Sequence, residues 1–306
     1  MKLIFMGTPD FAVPSLERLL ADGHEVVLAV TQPDKPVGRK RVLTPPPVKV
    51  CAQSHGIPVY QPASMKTEET RLYLSGFSAD AIIVVAYGKI LPPAILHMTP
   101  LGCINVHGSL LPRYRGAAPV QWAILNGDAE TGVTTMRLDE GVDTGDILLM
   151  SRRPLSDTVT GGELFDLLAQ DGAALLSRTL TGLLEGTVQP RKQPEEGACY
   201  ASMLDKSMAP LDWSKPAKRL HDQVRGMNPW PVASTVFEGK TLKVYVSRVA
   251  ENAAGQPGEI LSLSPLVIAC GEGTALELVE VQYEGARRMT AGEFLRGHPM
   301  HIGDCL

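Results

Sequence analysis

The chain has 306 residues, enough for about two domains that each bury a core of their own. With 44% apolar and 20% charged residues and a formal charge of −4, it is expected to be a water-soluble globular protein, and its charge excludes a uniformly basic nucleic-acid binder, so any basic site must be local. Cysteines 51, 103, 199, 270 and 305 form neither a CxxC pair nor a Cys/His cluster at zinc spacing, and no apolar run reaches membrane-span length. A reduced, cytoplasmic protein with no structural metal and no membrane association is expected. The apolar start is too short for a signal peptide.

Residues 3–6 form a short apolar run, as in a strand covered on both faces. It ends at Gly7-Thr8-Pro9-Asp10, after which Phe11, Val13, Leu16, Leu19 and Leu20 recur at helical spacing. A valine-rich second strand follows at 25–31, and strand, helix and strand within about thirty residues describe a right-handed βαβ unit. The turn carries Gly7 alone rather than G-x-G-x-x-G, so a Rossmann-like fold without NAD or flavin is expected.

Residues 31–47 hold five prolines, one glycine and the cations Lys35, Arg39, Lys40 and Arg41. An exposed, positive, non-helical loop is expected; it is either a solvated charge run or an attractor for a phosphate-rich partner. Helices are expected at 48–54 and 68–74 and strands at 57–60 and 81–86, the last ending in Tyr87-Gly88-Lys89 at a crevice. A short helical piece at 92–96 leads to the strand at 103–106.

Side chains of a strand alternate faces, so Asn105 and His107 project to one side while Ile104 and Val106 project to the other. An amide and an imidazole thus stand together at a strand end, ahead of a loop punctuated by Gly108, Pro112, Gly116 and Pro119. A helix carrying Trp122, Ile124 and Leu125 and a strand at 132–138 come next. In the acidic loop 139–146, Gly141 and Gly145 flank Asp143 and allow its carboxylate to be aimed, as for orienting and charging an imidazole. A strand at 147–150 and an amphipathic helix at 164–184 follow.

The Pro-, Lys-, Gln- and Glu-rich stretch from 186 to about 201 reads as an interdomain linker. A helix at 213–225 carries Lys215, Lys218, Arg219 and Arg225, which make either a positive face or a merely solvated surface. Asn228-Pro-Trp-Pro231 then breaks the chain. Strand-like runs at 233–237, 241–249, 259–263, 266–269 and 276–283 argue for a small β-barrel of the oligonucleotide-binding type. The expected fold is therefore α/β, a Rossmann-like doubly wound and mostly parallel sheet with a C-terminal OB-like barrel. The expected domains are 1–189, a linker at 190–205, and 206–306.

The run Asn105-Val-His107-Gly-Ser-Leu-Leu-Pro-Arg-Tyr-Arg-Gly-Ala-Ala-Pro119, with Asp143-Thr-Gly-Asp downstream, resembles the signature of the folate-dependent formyltransferases. Thr31-Gln-Pro-Asp-Lys-Pro-Val-Gly-Arg39, Val85-Ala-Tyr-Gly-Lys-Ile-Leu-Pro92 and Asn228-Pro-Trp-Pro231 extend the resemblance over essentially the whole chain. They point to the branch of the family that acts on methionyl initiator tRNA. The resemblance implies transfer of a formyl group from 10-formyltetrahydrofolate, a co-substrate, to the α-amino group of methionine on that tRNA for translation initiation. It implies tRNA and folate as partners; the cysteine spacing and the missing glycine pattern predict no metal and no NAD, and the lack of any oligomer signal predicts a monomer.

Carried over by position, the family's catalytic residues fall on Asn105, His107 and Asp143, and its folate contacts on Ser109, Leu110, Leu111 and Pro112. Its tRNA-inserting loop falls on 31–47, with Arg39 at the important arginine and Lys40 and Arg41 beside it. The chemistry agrees with these residues. Formyl transfer to an amine passes through a tetrahedral intermediate, and the Asn105 amide and a protonated His107 are suitable donors to its oxyanion. Ser109 and Cys103 need no covalent role. A nucleotide-sugar amine formyltransferase using the same donor is the nearest alternative, but it would have no use for the basic loop. A catalytically silent tRNA-binding protein would have no use for the Asn/His/Asp set.

Overall fold

The computed structural model describes residues 1–38, 40–250 and 255–306. They divide into two compact units, one comprising Met1–Pro119, Thr131–Arg153 and Phe165–Ala201, the other Val120–Glu130, Pro154–Leu164 and Ser202–Leu306.

The first unit is built on a seven-stranded sheet: β1 (Lys2–Gly7), β2 (Glu25–Val30), β3 (Val59–Tyr60), β4 (Ala81–Val85), β5 (Cys103–His107), β6 (Glu130–Arg137) and β7 (Ile147–Pro154). Their order is β7-β6-β5-β4-β1-β2-β3. The five strands from β3 to β5 in that order are parallel, whereas β6 runs antiparallel to β5. From β1 the chain moves outward through β2 and β3, then returns to the opposite side of β1 at β4. The carboxyl ends of β1 and β4 therefore form the switch point where doubly wound sheets hold ligands. The strand bearing Asn105 and His107 is the next neighbour.

All five residues of β4 and all five of β5 are buried, because helices cover both faces of the sheet. On one face Ile4, Met6, Ile82 and Val84 pack with Leu74 and Ile95. On the other, the long helix α1 (Gly161–Glu185) approaches so closely that a Cβ on Gly172 would lie 2.7 Å from Val106 Cγ1. Each large apolar side chain buried in this way contributes about 1.5–3 kcal/mol.

The segment 31–47, expected as an exposed, non-helical loop, carries a short hairpin. Lys35–Val37 and Val42–Thr44 pair as an antiparallel hairpin, with Gly38 in the left-handed region (φ +72°) at its turn. Asp34 fixes the base of the hairpin, accepting from Lys49 Nζ (2.8 Å) and Gln61 Nε2 (2.9 Å). Val37, Val42 and Leu43 are exposed, as are Lys40 and Arg41. Arg39 lies outside the described residues.

The second unit contains β8 (Ser234–Phe237), β9 (Lys240–Ala250), β10 (Ile260–Leu263), β11 (Leu266–Ala269) and β12 (Ala275–Tyr283). They form an antiparallel sheet in the order β8-β9-β12-β11-β10. The β9–β12 register slips between Val244 and Val246 and again between Val246 and Ser247. Such bulges bend a strand, which curves this sheet into a half-barrel around Leu242, Val244, Ile268 and Leu276.

The helix expected at 213–225 starts later, at Ala217, and runs to Gly226. Pro216 is extended (φ −63°, ψ 148°) and Trp213 turns into the barrel core instead. The cations of this helix are largely engaged within the unit. Asp222 is 1% exposed and takes both Lys218 Nζ (2.7 Å) and Arg225 Nε (2.8 Å), while Arg219 Nη1 donates to the Leu125 carbonyl. Arg225, 4% exposed, also donates to the carbonyls of Ser156 and Val159. Among the described residues no helix is long and apolar enough to cross a membrane.

Candidate active site

Asn105 and His107 are 8% and 6% exposed, a low value for polar side chains at a strand end. Pairing holds them in place, since Asn105 stands opposite Val84 of β4 and His107 opposite Thr134 of β6. His107 Nε2 lies 2.8 Å from the carbonyl oxygen of Tyr114. A carbonyl can only accept, so Nε2 carries a hydrogen and is spent on anchoring the ring. Nδ1 lies 3.7 Å from Asp143 Oδ2, within ion-pair reach but longer than a hydrogen bond. The Asn105 amide has no protein hydrogen-bond partner among the described residues.

Asp143 is aimed by its own backbone, which is left-handed at φ +54°, and by the Gly116 N–H, which donates to Oδ2 at 2.8 Å. Gly145 is required beside it, because a Cβ there would come within 1.8 Å of the Arg137 carbonyl oxygen. Gln193 Nε2 donates to the carbonyls of both Asp143 (2.7 Å) and Gly145 (2.8 Å). Gln193 Oε1 in turn accepts from Arg115 Nε at 3.0 Å.

The segment 109–112 follows β5 directly and is pinned by Thr134. Thr134 Oγ1 donates to the Ser109 carbonyl (2.6 Å) and accepts from the Leu111 N–H (3.2 Å). The Ser109 hydroxyl donates to the Arg113 carbonyl, and Leu111 packs on Met136 and Ile147. Ser109 and Leu111 thus use their side chains to build the loop, and Leu110 and Pro112 keep partly open surface. At the switch point the Tyr87 carbonyl accepts from Thr8 Oγ1 and Gln32 Nε2, both at 3.1 Å, which ties the ends of β1, β2 and β4 together.

Burial pushes the Cys103 thiol up to about 12, so it stays protonated at neutral pH and is no nucleophile. Burial likewise raises the Tyr87 phenol to about 12, and its hydroxyl is spent on the Met65 sulfur. Among the described residues no group of His, Cys, Asp and Glu is arranged to hold a metal ion.

Of the three expected catalytic residues, Asn105 and His107 share one strand and Asp143 stands 3.7 Å from the His107 ring. Gln193 lies in the stretch expected to be a linker, with no local signal to distinguish it. Thr8 and Gln32 were visible only as polar residues after strands.

A family model described as "Formyl transferase" matches residues 1–180, and one described as "Formyl transferase, C-terminal domain" matches residues 203–299. The chain belongs to the formyl transferase family. The first matched range contains Asn105, His107 and Asp143, and the second contains the half-barrel. Among full-length relatives, the methionyl-tRNA formyltransferase of Agathobacter rectalis is 50% identical over 300 residues, covering 97% of this chain and 96% of its own. That of Acetivibrio thermocellus is 48% identical over 310 residues, covering 100% of this chain and 99% of its own.

Two solved structures share the fold. The Helicobacter canadensis N-formyltransferase, in complex with folinic acid and dTDP-3-aminofucose, superposes with a TM-score of 0.68 at 19% identity, covering 92% of this chain and 99% of that one. HypX of Aquifex aeolicus in complex with tetrahydrofolic acid gives 0.66 at 18% identity, covering 100% of this chain and 50% of that one.

Proposed function

We propose that this formyl transferase moves the formyl group of 10-formyltetrahydrofolate onto the α-amino group of methionyl initiator tRNA. The observation that carries this reading is near-50% identity along the whole chain to relatives of that activity. The pairing of a free Asn105 amide with an anchored His107 ring, in a site with an aimed carboxylate, supports it. Catalysis is assigned to the first unit and the grip on tRNA to the hairpin at 35–44 and the second unit. Five free cysteines accord with work in the reducing cytoplasm.

In this reading the amine attacks the formyl carbon, a C–N bond forms, and negative charge develops on the formyl oxygen. Asn105 donates to that oxygen through its side-chain NH2. His107 has already committed Nε2 to the Tyr114 carbonyl, so its second donor is Nδ1–H. That edge faces Asp143, whose Oδ2 lies 3.7 Å from Nδ1. One donor of this kind is worth about 3–4 kcal/mol of barrier. The amine proton leaves through water to Asp143; the oxyanion then collapses to the carbonyl, the bond from the formyl carbon to N10 breaks, and the proton held by Asp143 passes through water to N10. Leu110 and Pro112 supply the apolar surface for the folate.

The test is formyl incorporation by the purified protein from 10-formyltetrahydrofolate into methionyl initiator tRNA and, in parallel, into a nucleotide-linked amino sugar. Incorporation into the tRNA is expected. Transfer to the sugar alone would overturn the assignment.

A further inference from the structure

The segment 191–201 bonds to the backbone on both sides of the His107 ring, at Tyr114 and at Asp143. At its start, Arg191 and Ile147 exchange two backbone hydrogen bonds (2.8 and 2.9 Å), which fixes the strap at the beginning of β7. Gln193 comes next, holding the Asp143 and Gly145 carbonyls and accepting from Arg115. At its end the Cys199 carbonyl accepts from the Arg115 N–H, the Cys199 sulfur accepts from the Tyr114 N–H, and the Ala201 carbonyl accepts from the Ala117 N–H. Tyr200 and Ala201 pair in register with Arg115 and Gly116. The backbones of both residues whose oxygens face the imidazole, Tyr114 and Asp143, are therefore bonded to this one stretch of chain.

The Gln193 amide is unambiguous in its orientation. Two carbonyls can only accept and the guanidinium N–H can only donate, so Nε2 must face the turn and Oε1 must face Arg115. Both amide hydrogens and one lone pair of the oxygen are used. Asp143 and Tyr114 both have left-handed backbones, at φ +54° and +60°, conformations that persist only where the surroundings enforce them. Gln193 supplies that enforcement for Asp143.

We propose that residues 191–201 are a positioning strap for the catalytic imidazole, with Gln193 setting the Asp143 carboxylate against His107. The inference rests on the roles given above to those two residues. It predicts that Gln193 acts through Asp143 and on the chemical step rather than on binding.

The experiment measures single-turnover formylation of methionyl initiator tRNA by Gln193→Ala in the natural and the Asp143→Asn backgrounds, with Lys192→Ala as a neighbouring control. Gln193→Ala is expected to slow the step about tenfold or more at saturating tRNA, since small misplacements cost that much, and to leave the tRNA KM within about twofold. In the Asp143→Asn background the same change should cost less than about twofold, because the group it positions has lost its charge. Gln193→Glu keeps the length and the Arg115 contact but sets oxygen lone pairs against the two carbonyls, so it should lose at least as much. Should the alanine variant fail to fold, Gln193→Asn carries the comparison and is expected to show the same loss confined to kcat.

An unchanged rate in Gln193→Ala, or an equal loss in both backgrounds, would overturn the proposal. A substrate-free readout separates this from the functional reading. The ring ¹⁵N shifts of His107 should move in Gln193→Ala and not in Lys192→Ala, whatever acceptor the enzyme uses. A natural protein unable to formylate the tRNA would strike the functional reading alone. Unmoved His107 shifts would strike the strap.

Discussion

His107 Nε2 and the carbonyl oxygen of Tyr114 stand 2.8 Å apart, and that single bond decides which edge of the imidazole is available for chemistry. The ring is clamped at Nε2, so only the Nδ1 edge remains, beside Asp143. Asn105 stands two residues earlier on the same strand, on the same face.

Replacing either group removes a donor without disturbing the sheet. Asn105→Ala and His107→Ala are each expected to lower the single-turnover formylation rate by about 10²–10³. Their melting temperatures should stay near that of the natural protein. A near-normal rate in either purified variant would remove it from the catalytic set.

Gly145→Ala tests the turn that aims Asp143. Its Cβ would meet the Arg137 carbonyl oxygen at 1.8 Å, a backbone atom that cannot swing aside. A loss of about 3 kcal/mol in urea denaturation is expected, as for severe overpacking. Formylation should fall with it, because Asp143 is two residues away.

Arg225→Met tests the second unit. It leaves the buried Asp222 carboxylate with Lys218 alone and strands the Ser156 and Val159 carbonyls. Breaking such a buried pair costs about 3–5 kcal/mol, measurable by chemical denaturation. A change under about 1 kcal/mol would show that water replaces the guanidinium freely.

The buried thiols set an alkaline limit. Burial raises Cys103 to about 12 and Cys270 to about 11, against an ordinary 9.0. Between those values the unfolded chain has lost protons that the folded chain retains, so stability present below pH 9 is expected to fall as pH rises towards 11 and 12. Cys103→Ala should flatten that decline in a pH series of denaturation curves. At pH about 8, an alkylating reagent followed by mass spectrometry should label the exposed Cys305 well before Cys103 or Cys270.

Removing the charge at Arg39 is expected to raise the KM for methionyl initiator tRNA and reduce its salt dependence, while the KM for the folate donor stays unchanged. Equal effects on both substrates would argue against a role for this segment in holding tRNA.

Much of this was legible in local pattern. The strands of the half-barrel fall within about two residues of their expected places, because alternation and turn residues act over a few positions. Period two alone put Asn105 and His107 on one face. The hairpin at 35–44 was not legible, since its strands are three residues long, interrupted by Pro36 and largely exposed. The helix start at Ala217 was missed because Trp213 extends the apolar periodicity past a proline that prevents helix at Lys215.

What the sequence by itself determined is the set of chemical groups and the elements that present them, through residue type, periodicity and turn composition. What only the tertiary structure decided is the use to which those groups are put. His107 shows Nδ1 rather than Nε2 because of where the Tyr114 carbonyl falls. Gln193 serves the Asp143 turn because a stretch that reads as linker folds back along it. The cations of the 217–226 helix are mostly consumed by Asp222 and backbone carbonyls. The physical reason is that a hydrogen bond is set by distance and direction in space, and partners such as Asp143 and Gln193 lie far apart along the chain.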